Sequence, residues 1–124
     1  MKANKYKAQK TRIDGLTFAS KGEASCYEVL KNDPEIEILQ TQPQVYLTAA
    51  KILYKPDFKC KEKKTGLVFY VEYKGVETAS WRIKKKLWKS YGPSFLQIFK
   101  GSYNTGIKMV EEIKPVRKYC FECS

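Results

Sequence analysis

The stretch Tyr54–Gly75, YKPDFKCKEKKTGLVFYVEYKG, decides how this chain is read. The apolar run Leu67–Val71 ends abruptly on Glu72-Tyr73-Lys74, and the only Pro-Asp step of the chain, Pro56-Asp57, stands fifteen residues before Glu72. A carboxylate and an ammonium at the end of a core strand carry a desolvation cost that something must offset. Strand side chains alternate between faces, so Glu72 and Lys74 share one face while Val71 and Tyr73 point to the other. The turn KKTG at 63–66 lets the two flanking strands pair, and pairing brings Asp57 and Glu72 together. Two carboxylates and the backbone carbonyl of Tyr73 make a hard oxygen site suited to Mg2+ or Mn2+. Such an ion acidifies water and stabilises charge building on a phosphate, and Lys74 beside it can orient the water or offset phosphate charge. The Glu-x-Lys spacing alone is weak. Glu62-Lys63-Lys64 and Glu112-Ile113-Lys114 match it too, and an ordinary strand end with a solvated Glu–Lys pair fits it as well.

Working outward, Ser20 followed three residues later by Glu23 has capping-box spacing and predicts a helix from about Lys21 to Lys31, stopped by NDPE. Strands are expected near 44–50 and 52–62, and a buried strand over LVFYVEYKG. Thr78 caps a second predicted helix, with Ile83, Leu87 and Tyr91 on one stripe and Trp88 beside it, ended by Gly92-Pro93; Trp81 and Trp88 read mainly as core, the alternative being that one stacks on an unpaired base. SFLQIFKG reads as a further strand, and GIKMVEEIK fits helix or strand. Gln42 and Gln44 flank Pro43 in what reads as a structural segment. The order is helix, three strands, helix, strand, an α/β chain with a mixed sheet flanked by helices.

At 124 residues the chain is expected to be one domain, with residues 1–18 as a basic N-terminal arm holding one short turn at Asp14-Gly15, and 102–124 as a C-terminal extension. Hydrophobic residues at 43% and charged ones at 30% are globular composition, and no apolar run is long enough to span a membrane. The N-terminus has no apolar h-region, which argues against a signal peptide and for a reducing cytoplasm with unpaired thiols at Cys26, Cys60, Cys120 and Cys123, the alternative being a zinc site on the single CxxC Cys120–Cys123 if folding brings Cys26 and Cys60 near it. Histidine is absent, which excludes Ser-His-Asp and Cys-His catalysis and His-dependent nuclease chemistry. A formal charge of +11 accompanied by nine Tyr, six Phe and two Trp suits nucleic acid, although a basic surface without a specific partner has the same charge.

Pro56-Asp57 followed by Glu72-Tyr73-Lys74 resembles the PD-(D/E)XK nuclease superfamily, whose core is helix, three strands, helix, strand. More narrowly, YKAQKTRIDGLTFASKGEASCYEVLK, LQTQPQVYL, YKPDF and YKGVETASWRIKKKLW look like a small phage-encoded family related to phage junction-resolving endonucleases. The resemblance covers roughly residues 6–100. It implies a restriction-endonuclease-like fold, Mg2+- or Mn2+-dependent hydrolysis of DNA phosphodiesters, and Asp57, Glu72 and Lys74 as the catalytic set. It adds Glu23, because several such nucleases carry an acidic residue on the first helix; as a capping residue Glu23 needs no other role. It places the chain in the host-cell cytoplasm.

Arg82, Lys84, Lys85, Lys86 and Lys89 on the second helix form either a solvated face or a phosphate-contacting one that positions DNA without reading sequence. Three readings compete: a metal-dependent endodeoxyribonuclease acting on branched or Holliday-junction DNA, a non-catalytic DNA-binding module of the same fold, and a protein that binds or cleaves RNA. A junction needs two symmetric cuts, so the first reading carries the expectation of a homodimer, with SFLQIF or GIKMVEEI as its interface.

Overall fold

Two glycine-assisted turns, two Pro breaks and two capped helices set the layout of the computed structural model, which describes residues 10–116. Strands β1 (Thr11–Ile13) and β2 (Leu16–Phe18) form a hairpin through Asp14 (φ 55°) and Gly15 (φ 78°), the positive-φ pair that a two-residue turn requires. The segment expected as a basic arm is therefore ordered structure from residue 11 on. Phe18 seals it to the core, 5.0 Å from the Tyr27 ring, and Asp14 accepts from the Tyr27 hydroxyl and pairs with Lys31.

Helix α1 (Lys21–Lys31) starts at Ser20, whose Oγ accepts from the Glu23 N–H at 3.1 Å. Its buried side chains Glu23, Cys26, Tyr27 and Leu30 follow helical spacing and face the sheet. Then come β3 (Ile36–Thr41), β4 (Val45–Tyr46), β5 (Leu53–Tyr54), β6 (Phe58–Glu62), β7 (Val68–Tyr73), helix α2 (Ala79–Tyr91), β8 (Leu96–Ser102) and β9 (Gly106–Ile113). The main sheet has the order β3-β6-β7-β8-β9, and only β7 and β8 run parallel, with α2 as their crossover. This is an α/β chain with a mixed five-stranded sheet and two helices.

The expected strands near 44–50 and 52–62 are corrected. The first main-sheet strand is β3, and β4 and β5 form a separate small hairpin. Pro43 and Pro56 lack the N–H a ladder needs, and Gln42 (φ 52°) and Lys51 (φ 60°) turn the chain instead. The main strand resumes only at Phe58. The expected extension 102–124 is also revised, because Gly106–Ile113 forms the outer strand of the sheet, with Val110 as a bulge between the pairs Ile98↔Glu111 and Phe99↔Met109. Cys120 and Cys123 lie outside the described residues, and Cys26 and Cys60 are buried free thiols.

Each face of the sheet has its own core. Phe58, Cys60, Phe69, Val71 and Phe99 pack under α1, while Tyr70, Leu96 and Ile98 pack with Trp81 and Trp88 of α2 and with Val45, Leu47 and Tyr54 of the small hairpin. The buried residues of α2 are Trp81 and Trp88, as expected, with half-buried Leu87 packed against them; of the expected stripe Ile83 and Tyr91 are instead 58% and 55% exposed. Seven residues apart, the two indoles share a face and bury more apolar area than the alternative stripe. The stems of half-buried Lys84 and Lys85 fill the positions between them. Among the described residues no helix is long and apolar enough to cross a membrane.

The packing assigns opposite outcomes to two substitutions on one helix. Trp88→Ala is expected to cost about 3–5 kcal/mol in chemical denaturation, and Ile83→Ala to stay within about 0.5 kcal/mol. Equal losses would return the core stripe to Ile83.

Candidate functional site

Register brings the two carboxylates together. Strands β6 and β7 are antiparallel with Phe58 opposite Val71, so one step further Asp57 stands opposite Glu72. The turn between them is closed by Gly66 (φ 78°) and by Glu62 N–H donating to the Leu67 carbonyl at 2.8 Å. Asp57 has left the ladder, and its Oδ2 accepts from the backbone N–H of Tyr73 at 2.7 Å. The N–H and C=O of one strand residue point to the same neighbour, so the Tyr73 carbonyl lies on the Asp57 side. The expected trio of Asp57, Glu72 and the Tyr73 carbonyl is thus drawn to one end of the sheet.

Each carboxylate is held by a neutral donor. The buried Tyr54 hydroxyl donates to Glu72 Oε1 at 2.7 Å, and Lys74 Nζ lies 3.3 Å from the other oxygen, Oε2. Glu23 comes from the first turn of α1, where the Ala19 N–H and the Gln42 amide hydrogen bond to its carboxylate. Gln42 also donates its backbone N–H to the Asp57 carbonyl at 2.8 Å, tying the end of β3 to the start of β6. Glu23 thus joins the helix cap through its backbone N–H, while its carboxylate, free of the cap residue Ser20, stands within the field of Asp57. Lys74 sits over the Trp81 ring at 4.8 Å, and Lys84 over the Tyr54 ring at 5.8 Å.

Tyr73 connects these elements. Its hydroxyl donates to the Gly101 carbonyl at 2.6 Å, and its ring lies against Gly22 of α1, where an added Cβ would fall 2.1 Å from the hydroxyl. The site thus rests on a glycine beside Glu23. Tyr54, Gln42 and the Tyr73 ring carry no signal in a sequence reading, because their partners are remote in the chain; Tyr54 and Glu72 are 18 residues apart.

The electrostatics are unbalanced. Burial, then the charges of Glu72 and Glu23, push Asp57 up to about 9, against the opposing pull of the Tyr73 N–H and Lys74. Burial likewise raises Glu72, with Tyr54 and Lys74 opposing, and raises Glu23. Beneath the site burial and the carboxylate charges raise the Cys26 thiol, and burial pushes Cys60 up to about 12, so both are inert apolar packing rather than nucleophiles. Three buried carboxylates face one ammonium, an arrangement relieved by a proton or by a cation.

Among the described residues no three His, Cys, Asp or Glu side chains form a group that could by itself enclose a metal ion. The donor chemistry fits Mg2+ or Mn2+ in another way. Mg2+ keeps several waters and takes one or two carboxylates plus substrate oxygens, and Asp57, Glu72 and a strand carbonyl offer that many hard donors. Of the expected DNA-contacting residues, Arg82, Lys86 and Lys89 are exposed. Lys85 is engaged with Glu111 at 2.6 Å and Lys84 with the Tyr54 ring, so those two are less available to phosphate.

The family model described as "Protein of unknown function (DUF1064)" matches residues 3–105, and the chain belongs to that family. No curated protein and no solved structure matches it.

The raised Asp57 makes a signed prediction for the metal-free protein. A carboxyl whose folded pKa lies above its unfolded value of 3.8 contributes stability below that value and loses it as pH rises through about 9. Asp57→Asn keeps an acceptor for the Tyr73 N–H and removes the charge. At pH 8 in chelator it is expected to be more stable than the parent by on the order of 1–3 kcal/mol, with the gain shrinking toward pH 4. Urea titrations across that range check it, and a destabilised Asp57→Asn at pH 8 contradicts the buried-charge account.

Proposed function

We propose that this chain is a metal-dependent DNA endonuclease with a restriction-endonuclease-like core, of the PD-(D/E)XK kind. The observation that carries the reading is the cross-strand placement of Asp57 opposite Glu72, both buried, with the Lys74 ammonium bonded to Glu72. The chain order α1, β3, β6, β7, α2, β8 and the +11 charge support it.

In this reading Asp57, Glu72 and the Tyr73 carbonyl hold Mg2+ or Mn2+, which when bound supplies positive charge against the phosphate and Lewis acidity. The chain's own residues do the rest. The Tyr73 N–H and the Tyr54 hydroxyl fix one oxygen of each carboxylate, which leaves the remaining oxygens aimed by the protein rather than by solvent. Lys74, steadied by Glu72 and the Trp81 face, donates hydrogen bonds to water or to a phosphate oxygen. Water adds to phosphorus, one P–O ester bond breaks, and the products are a phosphate monoester and a hydroxyl. The exposed Arg82, Lys86 and Lys89 on α2 position the backbone of the DNA.

The reading extends to branched DNA cut by a two-fold homodimer in the cytoplasm, since one domain holds one such site. Leu96, Ile98 and Phe99 of SFLQIF are buried within the sheet, so any such interface falls to other surfaces, with Met109 and Val110 of outer strand β9 exposed.

Incubating supercoiled plasmid, a four-way junction and structured RNA with Mg2+, Mn2+ or chelator tests the function. Metal-dependent DNA cleavage is expected, abolished in Asp57→Ala and Glu72→Ala with DNA binding retained. Lys74→Ala is expected to lose cleavage while keeping metal affinity by calorimetry. Tyr54→Phe should lower metal affinity or activity about 10- to 100-fold, as loss of a ligand's supporting hydrogen bond does. Cleavage of RNA alone, or full cleavage by Asp57→Ala, would remove this assignment.

Salt dependence tests the DNA face separately. Each phosphate contact adds about −0.9 to the log–log salt slope on duplex DNA. Replacing Arg82, Lys86 and Lys89 together by Gln should flatten that slope, and replacing Lys85 should change it least. An unchanged slope in the triple variant places the DNA on another face.

A further inference from the structure

The turn between β8 and β9 stands at the same end of the sheet as the carboxylates and has no part in the chemistry just described. Strand β8 runs parallel to β7 with Ile98 opposite Glu72, so Ser102 lies four residues beyond that level. At strand rise this is roughly 13 Å past the carboxylate. The next residue, Tyr103, is 85% exposed, more than any other large hydrophobic side chain among the described residues.

The turn holding this ring is built rigidly. Ser102 N–H donates to Thr105 Oγ1 at 3.0 Å, Thr105 N–H donates to Ser102 Oγ at 3.1 Å, and the two hydroxyls lie 3.0 Å apart. Gly101 (φ 121°) lets the strands close, since a Cβ there would meet the Gly106 carbonyl oxygen at 2.0 Å. The Gly101 carbonyl is the acceptor of the Tyr73 hydroxyl, so the turn is anchored to the residue whose N–H holds Asp57. Lys100 and Lys108 are cross-strand neighbours at its base; Lys100 pairs with Glu77 at 3.1 Å, and Lys108 is exposed.

We propose that this turn is a stacking tip, on which Tyr103 receives an unpaired base of DNA whose backbone lies at the carboxylate site. An aromatic ring held in water on a preordered turn has its ordering entropy already spent, and a base offers the flat apolar face that such a ring lacks. The exposed Lys108 ammonium at the foot of the turn matches the charge of the strand that carries the base. A fully paired duplex keeps its bases stacked on one another and offers none to the tip. The preference for branched or flapped DNA then comes from this one contact, and the inference rests on the DNA-cleaving reading of the carboxylate site.

The test uses the full chain in chelator, so that DNA is bound but not cut. Fluorescence anisotropy is read on a duplex bearing a single-stranded flap and on a perfect duplex of equal length. Tyr103→Ala is expected to weaken flap binding roughly 5- to 100-fold, the range for loss of one base–aromatic stack. Perfect-duplex binding should change by less than about twofold, because phosphate contacts carry it. Tyr103→Phe keeps the ring and should bind both as the parent does. Equal binding of the flap by Tyr103→Ala and the parent overturns the stacking tip, as does an equal loss on both DNAs. If the parent binds neither DNA, the nucleic-acid reading fails as a whole, which separates the two failures.

Discussion

The hydrogen bond from the Tyr73 N–H to Asp57 is the contact on which the other arrangements depend. It forms where the β6–β7 ladder ends, at the point where Pro56 has already removed one backbone donor from the pairing. A carboxylate replaces a carbonyl as the acceptor of a core-strand N–H, so a charge is built into the sheet end instead of being placed on its surface. The same residue sends its hydroxyl to Gly101 and lays its ring on Gly22. One tyrosine thereby fixes the height of Asp57, the approach of α1 with Glu23, and the start of the β8–β9 turn.

The electrostatic cost of this design is concentrated and local. Asp57 and Glu72 are both buried, with Glu23 close enough to add to the repulsion and Lys74 alone to oppose it. Burying such groups to stabilise the fold would be self-defeating, since well-packed apolar residues of the same size do that better. Each carboxylate instead receives a neutral donor: Tyr54 for Glu72, the Tyr73 N–H for Asp57, and Gln42 with Ala19 for Glu23. Neutral donors orient a carboxylate without cancelling its charge. Burial still raises all three carboxyls despite these donors, so the cluster favours whatever relieves its repulsion, a proton or, in the proposed reading, a cation.

What was legible in the sequence was short in range. Ser20 with Glu23 and Thr78 before α2 marked both helix starts, because caps are decided within one turn. Asp57 and Glu72 could be paired on paper because a tight turn at 63–66 leaves an antiparallel hairpin little freedom of register. The small β4–β5 hairpin was not legible, since its break depends on backbone turns at Gln42 and Lys51, residues that do not announce positive φ. The buried face of α2 was legible in part: Trp81 and Trp88 read as core and are, but periodicity also put Ile83 and Tyr91 on the buried stripe, where both are exposed, while Lys84 and Lys85, counted as polar, are half-buried. Tyr54 could not be found either, because its hydroxyl bonds a carboxylate 18 residues on, while its ring packs on Trp81 and Trp88.

The two faces of the sheet also divide the labour in a way the sequence order conceals. Residues of β7 that point toward α1, Phe69, Val71 and Tyr73, are packing residues, and those that point toward α2 run from Tyr70 through Glu72 to Lys74, from apolar to charged along one line. The strand is therefore a gradient from dry core to the open sheet end, and the carboxylate sits where the dielectric changes. Two residues toward the core the same face is held by Tyr70 among Trp88, Leu96 and Ile98, an apolar setting in which a carboxylate is costly. Two residues outward the same face passes to the half-buried Lys74, whose ammonium still acts on Asp57. At its present position a carboxylate is buried where it acts on Asp57 and is held by Tyr54 and Lys74, and in the proposed reading that placement ties the fold to its chemistry.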